Sequence, residues 1–298
     1  MPPPAWRAVW PHLEGYLYVL PAAAILFAFW LGPTLYTLWL SFHNANMILP
    51  GSRFVGLANY ARMLGDARFW VAFWNTAVYV GVVVPLTAGT ALVLAIALHA
   101  VRRGADLYRT LLFLPVVIGG ASAAVLFKWL YAGDDDGFLN ILIGLLGLKP
   151  HNWLLEPHWA LPAVMWMGIW KHIGYDVILF YAGLQAIERG YYEAAQVDGA
   201  GDAAVVRYIT IPLLAPVTFV VLVLEVIHSF QVFSHVFVLT QGGPIDHTLV
   251  MVYYLYTTAF GSFDFGYGSA LSFALFLVIL AATLVQRGLL ESKIHYDG

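Results

Sequence analysis

Two runs of this 298-residue chain place ionisable side chains inside long apolar stretches. Lys171 and Tyr175 are i,i+4 neighbours, as are His172 and Asp176, which makes two adjacent polar rows on one helix. A second stretch carries Glu225, His228 and Ser229 at i, i+3 and i+4, a single stripe. An ionisable group at the centre of a bilayer costs about 2.5–3.5 kcal/mol even on lenient insertion scales, so each such residue needs a partner or a water-filled cavity. Facing stripes, one bringing a cation and the other an anion, suit a polar path for a hydroxylated solute. The same residues equally suit a buried Lys-Glu or His-Asp pair that locks two helices together.

Other chemistry is poorly supplied. Glu225-x-x-His228 has the spacing of half a di-iron site, but the second copy and further carboxylates are missing. His228 and His235 at i,i+7 share a helix face, where packing or hydrogen bonding is the expected role, and no metal site is expected. The chain has no Cys, which removes disulfides, thiolate metal sites and cysteine nucleophiles together. Motifs of the GxSxG, HExxH and SxxK kinds are absent, so no catalytic residues are assigned. A P-loop is missing too. The four Lys residues, Lys128, Lys149, Lys171 and Lys293, precede Trp, Pro, His and Ile, where GxxxxGK[ST] demands Ser or Thr.

The elements that must hold these residues follow from composition. The chain is 61% hydrophobic and 10% charged, against about 45–50% and about 25% in soluble domains. Too little charge remains to coat a soluble globule. A net charge of -3, with no basic cluster denser than Arg102-Arg103, excludes nucleic acid as a partner. A bilayer core needs roughly 20 apolar residues of helix. Six stretches meet that length: Tyr16–Leu40, Val71–Leu98, Tyr108–Tyr131, Trp159–Leu184, Pro216–Leu239 and Gly266–Arg287. The expected fold class is therefore an all-α integral membrane protein, with residues 1–298 as a single transmembrane domain. The first span follows a short stretch with Arg7 and is too long for a cleaved signal, so it reads as a retained anchor.

Six spans put both termini on one side. With the termini inside, Arg7, Arg102, Arg103, Arg109, Arg189, Arg207, Arg287 and Lys293 are cytoplasmic, while Arg53, Arg62, Arg68 and Lys149 are outside. That bias orients the termini to the cytoplasm. The acidic run Asp134–Asp136 then falls outside.

Between the fourth and fifth spans, residues 188–212 read ERGYYEAAQVDGAGDAAVVRYITIP. Tyr191 to Val197 can form a two-turn amphipathic helix, with Tyr191, Ala194, Ala195 and Asp198 at helical spacing. Gly199 and Gly201 permit positive φ and a sharp turn, and Asp202 is an N-cap candidate for a second helix. A short helix with small alanines beside a tight turn makes a knob that fits a groove on a partner. It also fits an ordinary helix-turn-helix loop on the membrane surface.

Glu193-Ala194-Ala195, then Gly199, then Ile209-Thr210-Ile211-Pro212 resemble the EAA loop of permease subunits in binding-protein-dependent ABC importers, with Ile211 where Leu is usual. Trp170–Ile187, Phe54–Leu64 (FVGLANYARML), Thr240–Pro244 (TQGGP) and Glu291–Lys293 are similar to the carbohydrate branch of that family. The resemblance covers nearly the whole chain and points to the first of the two permeases such importers use. It implies the type I permease fold and a coupling helix docked on a cytoplasmic ATPase, with Glu193, Ala194, Ala195, Asp198, Gly199 and Pro212 as the coupling residues. It also implies partners: a second permease in a heterodimer, two ATPase subunits that hold ATP and Mg, an extracytoplasmic solute-binding protein and the lipid bilayer. No cofactor is expected in this chain. Positions that line the sugar site in the maltose-type branch fall at Gly168, Lys171, His172, Tyr175, Glu225, Ser229 and Val232, and only Tyr175 keeps its residue type.

A sugar or oligosaccharide is the expected solute. Glycerol-3-phosphate importers are also similar, and Lys171 with His172 could meet a phosphate, though Glu225 would repel it. An ion-coupled secondary transporter, with Glu225, His228 and Asp176 as a proton relay, is the rival class.

Overall fold

The computed structural model describes residues 6–46, 51–101, 103–134 and 137–290. Arg102, Asp135, Asp136 and the Glu291–Lys293 segment lie outside the described residues.

The order along the chain is helical almost throughout. Helix α1 (Trp6–Leu26) runs through a π-helical turn at Phe27–Leu31 into α2 (Gly32–Ser41). A two-residue antiparallel pair, β1 (His43–Asn44) and β2 (Arg53–Phe54), leads to α3 (Ala58–Gly65) and the 34-residue α4 (Ala67–Ala100). Next come α5 (Ala105–Val117), α6 (Gly120–Leu130), α7 (Phe138–Gly144) and α8 (Pro157–Ala186). The loop of residues 188–212 holds α9 (Arg189–Val197), α10 (Asp202–Val205), a second π-helical turn (Val206–Thr210) and the start of α11 (Ile211–Leu213). Helices α12 (Ala215–Phe230), α13 (Ser234–Leu239), α14 (Met251–Tyr256) and α15 (Phe265–Leu290) complete the chain, with a third π-helical turn at Thr257–Gly261.

Four described helical stretches are long and apolar enough to cross a membrane: Tyr16–Ser41, Ala67–Ala100, Ala215–Leu239 and Phe265–Leu289. The expected third span is not one rod. It is α5 and α6, bent by 98° between Val117 and Gly120. Ile118 and Gly119 are extended there, and the Gly119-Gly120 pair does not carry the helix across. The expected fourth span is α8, whose 30 residues rise about 45 Å. It is long enough to cross but is not among the apolar helices, because Lys171, His172 and Asp176 interrupt it.

The contacts divide into two compact units, Met1–Gly65 with Thr257–Phe273, and Asp66–Tyr256 with Ala274–Gly298. In the first, the buried Asn59 amide donates to the carbonyl oxygens of Ser41 at 2.8 Å and His43 at 3.0 Å. Arg62 pairs with Asp264 at 2.7 Å and lies 4.0 Å above the Tyr267 ring.

The second unit is built on α4 against α8. Ala88, Ala91 and Ala95 of α4 recur at helical spacing, and they pack in one cluster with Val177, Phe180 and Leu184 of α8. Small residues let the two backbones approach, which matters in lipid, where association rests on close packing rather than on release of water. A second cluster joins Tyr79 and Val83 of α4 to Phe127 of α6, Val164 and Met167 of α8, and Val236 of α13. These contacts fix α8 along its length and leave one of its faces polar.

Candidate functional site

That polar face opens on a cavity of about 320 Å³. Lys171, His172, Tyr175 and Asp176 line it from α8, Glu225 and His228 from α12, and Val116 from the end of α5. The i,i+4 rows on α8 and the i,i+3 pair on α12 therefore do face each other.

Charge in the cavity is arranged unlike a simple Lys-Glu pair. Lys171 Nζ donates to the carbonyl oxygens of Pro115 at 2.8 Å and Val116 at 2.9 Å. Because α5 stops at Val117, these are among its last carbonyls, which lack intrahelical partners, and the ammonium caps them. Glu225 meets His172 instead, with Oε2 3.6 Å from Nδ1. Glu225 and Asp176 are each 1% exposed. Both Glu225 carboxylate oxygens and Asp176 Oδ2 lack a hydrogen-bond partner among the described residues. Tyr175 is 38% exposed and lines the cavity. The arrangement offers acceptors, two imidazoles and an aromatic face, a set that matches a solute rich in hydroxyl groups.

Four of the seven residues singled out from sequence meet here: Lys171, His172, Tyr175 and Glu225. Ser229 is buried on α12, and its hydroxyl has no partner among the described residues. Gly168 and Val232 are placed elsewhere. A side chain at Gly168 would collide with the Tyr79 hydroxyl, so this glycine marks close approach of α4 and α8. Val232 belongs to the apolar cluster around Tyr79. Asp176 and His228, recognised as polar-row residues but not as path positions, join the cavity, and the spacing that found their neighbours also finds them. Val116 carries no sequence signal, since only the bend after α5 brings it in.

The 188–212 loop contains the short helix and the tight turn read from its sequence. Helix α9 starts two residues earlier than expected and ends in a complete Schellman motif. Ala200 N–H donates to the Ala195 carbonyl at 2.9 Å and Gly199 N–H to that of Gln196 at 3.1 Å, with Gly199 at φ +76°. Gly201, expected to share the positive φ, is extended at φ -76° and is itself the cap residue of α10. Asp202 is thus the first residue of α10 rather than its N-cap, and no side-chain cap bond forms there. Glu193, Ala194 and Asp198 are exposed, whereas Ala195 is 8% exposed and faces the rest of this chain. Tyr191, Ala194, Ala195, Asp198 and Ile209 border an open depression of about 590 Å³. Pro212 is exposed and lies in the first turn of α11. Val197 and Tyr208 leave 88% and 71% of their surfaces uncovered by this chain.

Comparison with known proteins places this geometry. Residues 73–294 match the family described as the binding-protein-dependent transport system inner membrane component. The chain belongs to that family, which makes it a membrane transport component. It is similar to the lactose transport system permease protein LacF of Rhizobium radiobacter, 33% identical over 281 residues, 92% of this chain and 93% of that one. It is also similar to the sn-glycerol-3-phosphate transport system permease protein UgpA of Yersinia pseudotuberculosis, 32% identical over 284 residues, 94% of this chain and 95% of that one. In structure it matches a bacterial ABC transporter involved in the import of the acidic polysaccharide alginate, with TM-score 0.84 over 96% of this chain and 98% of that one. At 23% identity that likeness concerns the fold, the permease fold of ABC importers.

Proposed function

We propose that this chain is one of two permease subunits of an ATP-driven importer that carries a neutral sugar or oligosaccharide. The observation that carries this reading is the cavity between α8 and α12, where buried Glu225 and Asp176 keep free acceptor oxygens beside the Tyr175 ring. Carboxylates of this kind accept hydrogen bonds from sugar hydroxyls, and an aromatic face stacks on a sugar ring. The full-length similarity to a lactose permease supports the same solute class. Glycerol-3-phosphate is the second reading, motivated by the UgpA relative. It is opposed by two buried carboxylates and by a Lys171 ammonium already engaged by two carbonyls.

The remaining subunits follow from the same reading: a second permease, two ATPases and an extracytoplasmic solute-binding protein, with both termini of this chain in the cytoplasm. Mg and ATP would bind in the ATPases, and this chain needs no cofactor of its own for translocation. Exposed Glu193, Ala194 and Asp198 on α9, with Val197 beyond them, suit docking in an ATPase cleft. Gly199 would hold the turn, and the chain through Pro212 would pass movement of the knob into α12.

Affinity purification of the tagged chain from its native membrane, followed by a screen of solutes that stimulate ATP turnover, tests the proposal. Recovery of an ATPase stimulated by a sugar is expected. A chain that brings down no ATPase would overturn the importer reading, and stimulation by phosphorylated solutes alone would overturn the solute class.

A further inference from the structure

We infer that His172, Glu225 and His228 form a binding site for a divalent transition-metal ion of the Zn2+ class, clamping α8 to α12. Each residue offers one donor atom, and these atoms all lie within 4.8 Å of one another. Donors around a tetrahedral Zn2+, at about 2.0–2.2 Å from the ion, sit about 3.3 Å apart. His172 Nδ1 and Glu225 Oε2 are already at 3.6 Å, and the His172 and His228 rings meet edge to face with centroids 5.3 Å apart.

The donor chemistry selects the metal. Two imidazoles and one carboxylate suit Zn2+, Co2+ or Ni2+, while Ca2+ and Mg2+ prefer oxygen ligands throughout. Glu225-x-x-His228 sets two donors on one face of α12, and α8 brings the third, which sequence spacing within one helix does not reveal.

An independent observation is the state of Glu225. It is 1% exposed, and neither of its oxygens has a hydrogen-bond partner among the described residues. A buried carboxylate needs a compensating charge. The neighbouring Lys171 donates to the Pro115 and Val116 carbonyls and makes no hydrogen bond to Glu225. A metal ion between the imidazoles would bring charge into direct contact with its unpartnered oxygens. Three protein ligands leave a fourth position toward the cavity, open to water or to a ligand oxygen.

The probe is Co2+, added to the full-length chain in detergent without solute or partner subunits, so the outcome is independent of the importer reading. One equivalent per chain should produce the visible d–d bands of a tetrahedral site, and Zn2+ should displace them. Glu225→Gln and His228→Ala should each weaken Co2+ binding by more than the roughly 10- to 100-fold that loss of an outer-shell partner costs. His151→Ala, on a separate part of the chain, should leave the bands unchanged. Because removing a donor can also disturb folding, His228→Cys provides a second arm. It keeps a ligand, and a new thiolate-to-Co2+ charge-transfer band should mark it. Absence of d–d bands at equivalence would overturn the inference, leaving His172 and Glu225 as a plain polar contact. So would bands that persist unchanged in Glu225→Gln and His228→Ala, or a His228→Cys chain without the charge-transfer band.

Discussion

Lys171 Nζ lies 2.8 Å from the Pro115 carbonyl oxygen, so the one cation of α8 is bound to the broken end of α5 and not to Glu225. Helix α8 thereby caps the free end of α5, and Val116 at that end lines one wall of the cavity.

Lys171→Met should therefore act first on stability. It leaves two carbonyls without their charged donor, at a cost of about 1–3 kcal/mol. A lowered thermal midpoint of the full chain in detergent would register it. A normal midpoint with a raised KM for transport would instead make Lys171 a solute contact.

Glu225→Gln keeps size and removes charge. Loss of a charged acceptor worth about 1.5–3 kcal/mol should weaken solute-stimulated ATP turnover of the assembled complex by about 10- to 100-fold. Membrane insertion should be unaffected. Unchanged turnover at limiting solute would remove Glu225 from the path.

Gly199 occupies φ +76°, and nothing lies within 4 Å of where its side chain would start. Gly199→Val is thus penalised by backbone strain alone, about 1–3 kcal/mol, whereas Asn tolerates this region. ATP-driven uptake should be lost in Gly199→Val with insertion intact, and largely kept in Gly199→Asn. Equal uptake by both variants would show that the turn geometry does not matter for coupling.

Gly168→Ala should destabilise by about 1–3 kcal/mol, the usual range for overpacking, because the added methyl meets the Tyr79 hydroxyl. Combining it with Tyr79→Phe should restore much of the loss, and a double-mutant cycle on thermal midpoints measures the coupling. Additive effects would contradict the packing role.

Asn75 Nδ2 donates to the carbonyl oxygens of Asp246 at 2.9 Å and Leu249 at 3.0 Å, while Arg68 holds the Asp246 carboxylate from a mostly exposed position. Exposed ion pairs contribute about 0.2–1 kcal/mol. Asn75→Ala should consequently speed amide exchange across residues 241–249 more than Arg68→Ala does. The reverse order would assign the loop's stability to the ion pair.

Spacing within single helices made much of the site legible. The rows Lys171–Tyr175 and His172–Asp176 and the Glu225–His228 stripe were readable, because neighbours on a helix face are a property of sequence alone. What crosses between helices was not. The partner of Lys171 is a main-chain carbonyl, which leaves no mark on side-chain identity, and His172 as the companion of Glu225 depends on how α8 packs against α12. The glycine pair after α5 was visible, but residues 108–131 were apolar enough to pass for one rod. Gly199 and Gly201 illustrate the same limit at a turn. Both residues allow positive φ, and hydrogen bonds to Ala195 and Gln196 decide that only the first adopts it.

The polar character of α8 also bears on how the protein is made. With Lys171 and Asp176 near its centre, each opposing entry into lipid by about 2.5–3.5 kcal/mol, α8 is a poor candidate for leaving the translocation channel unaided. The Pro115 and Val116 carbonyls and the alanine face of α4 precede it in the chain. They are synthesised first, so the partners of Lys171 and of the packing face of α8 exist before α8 itself is made.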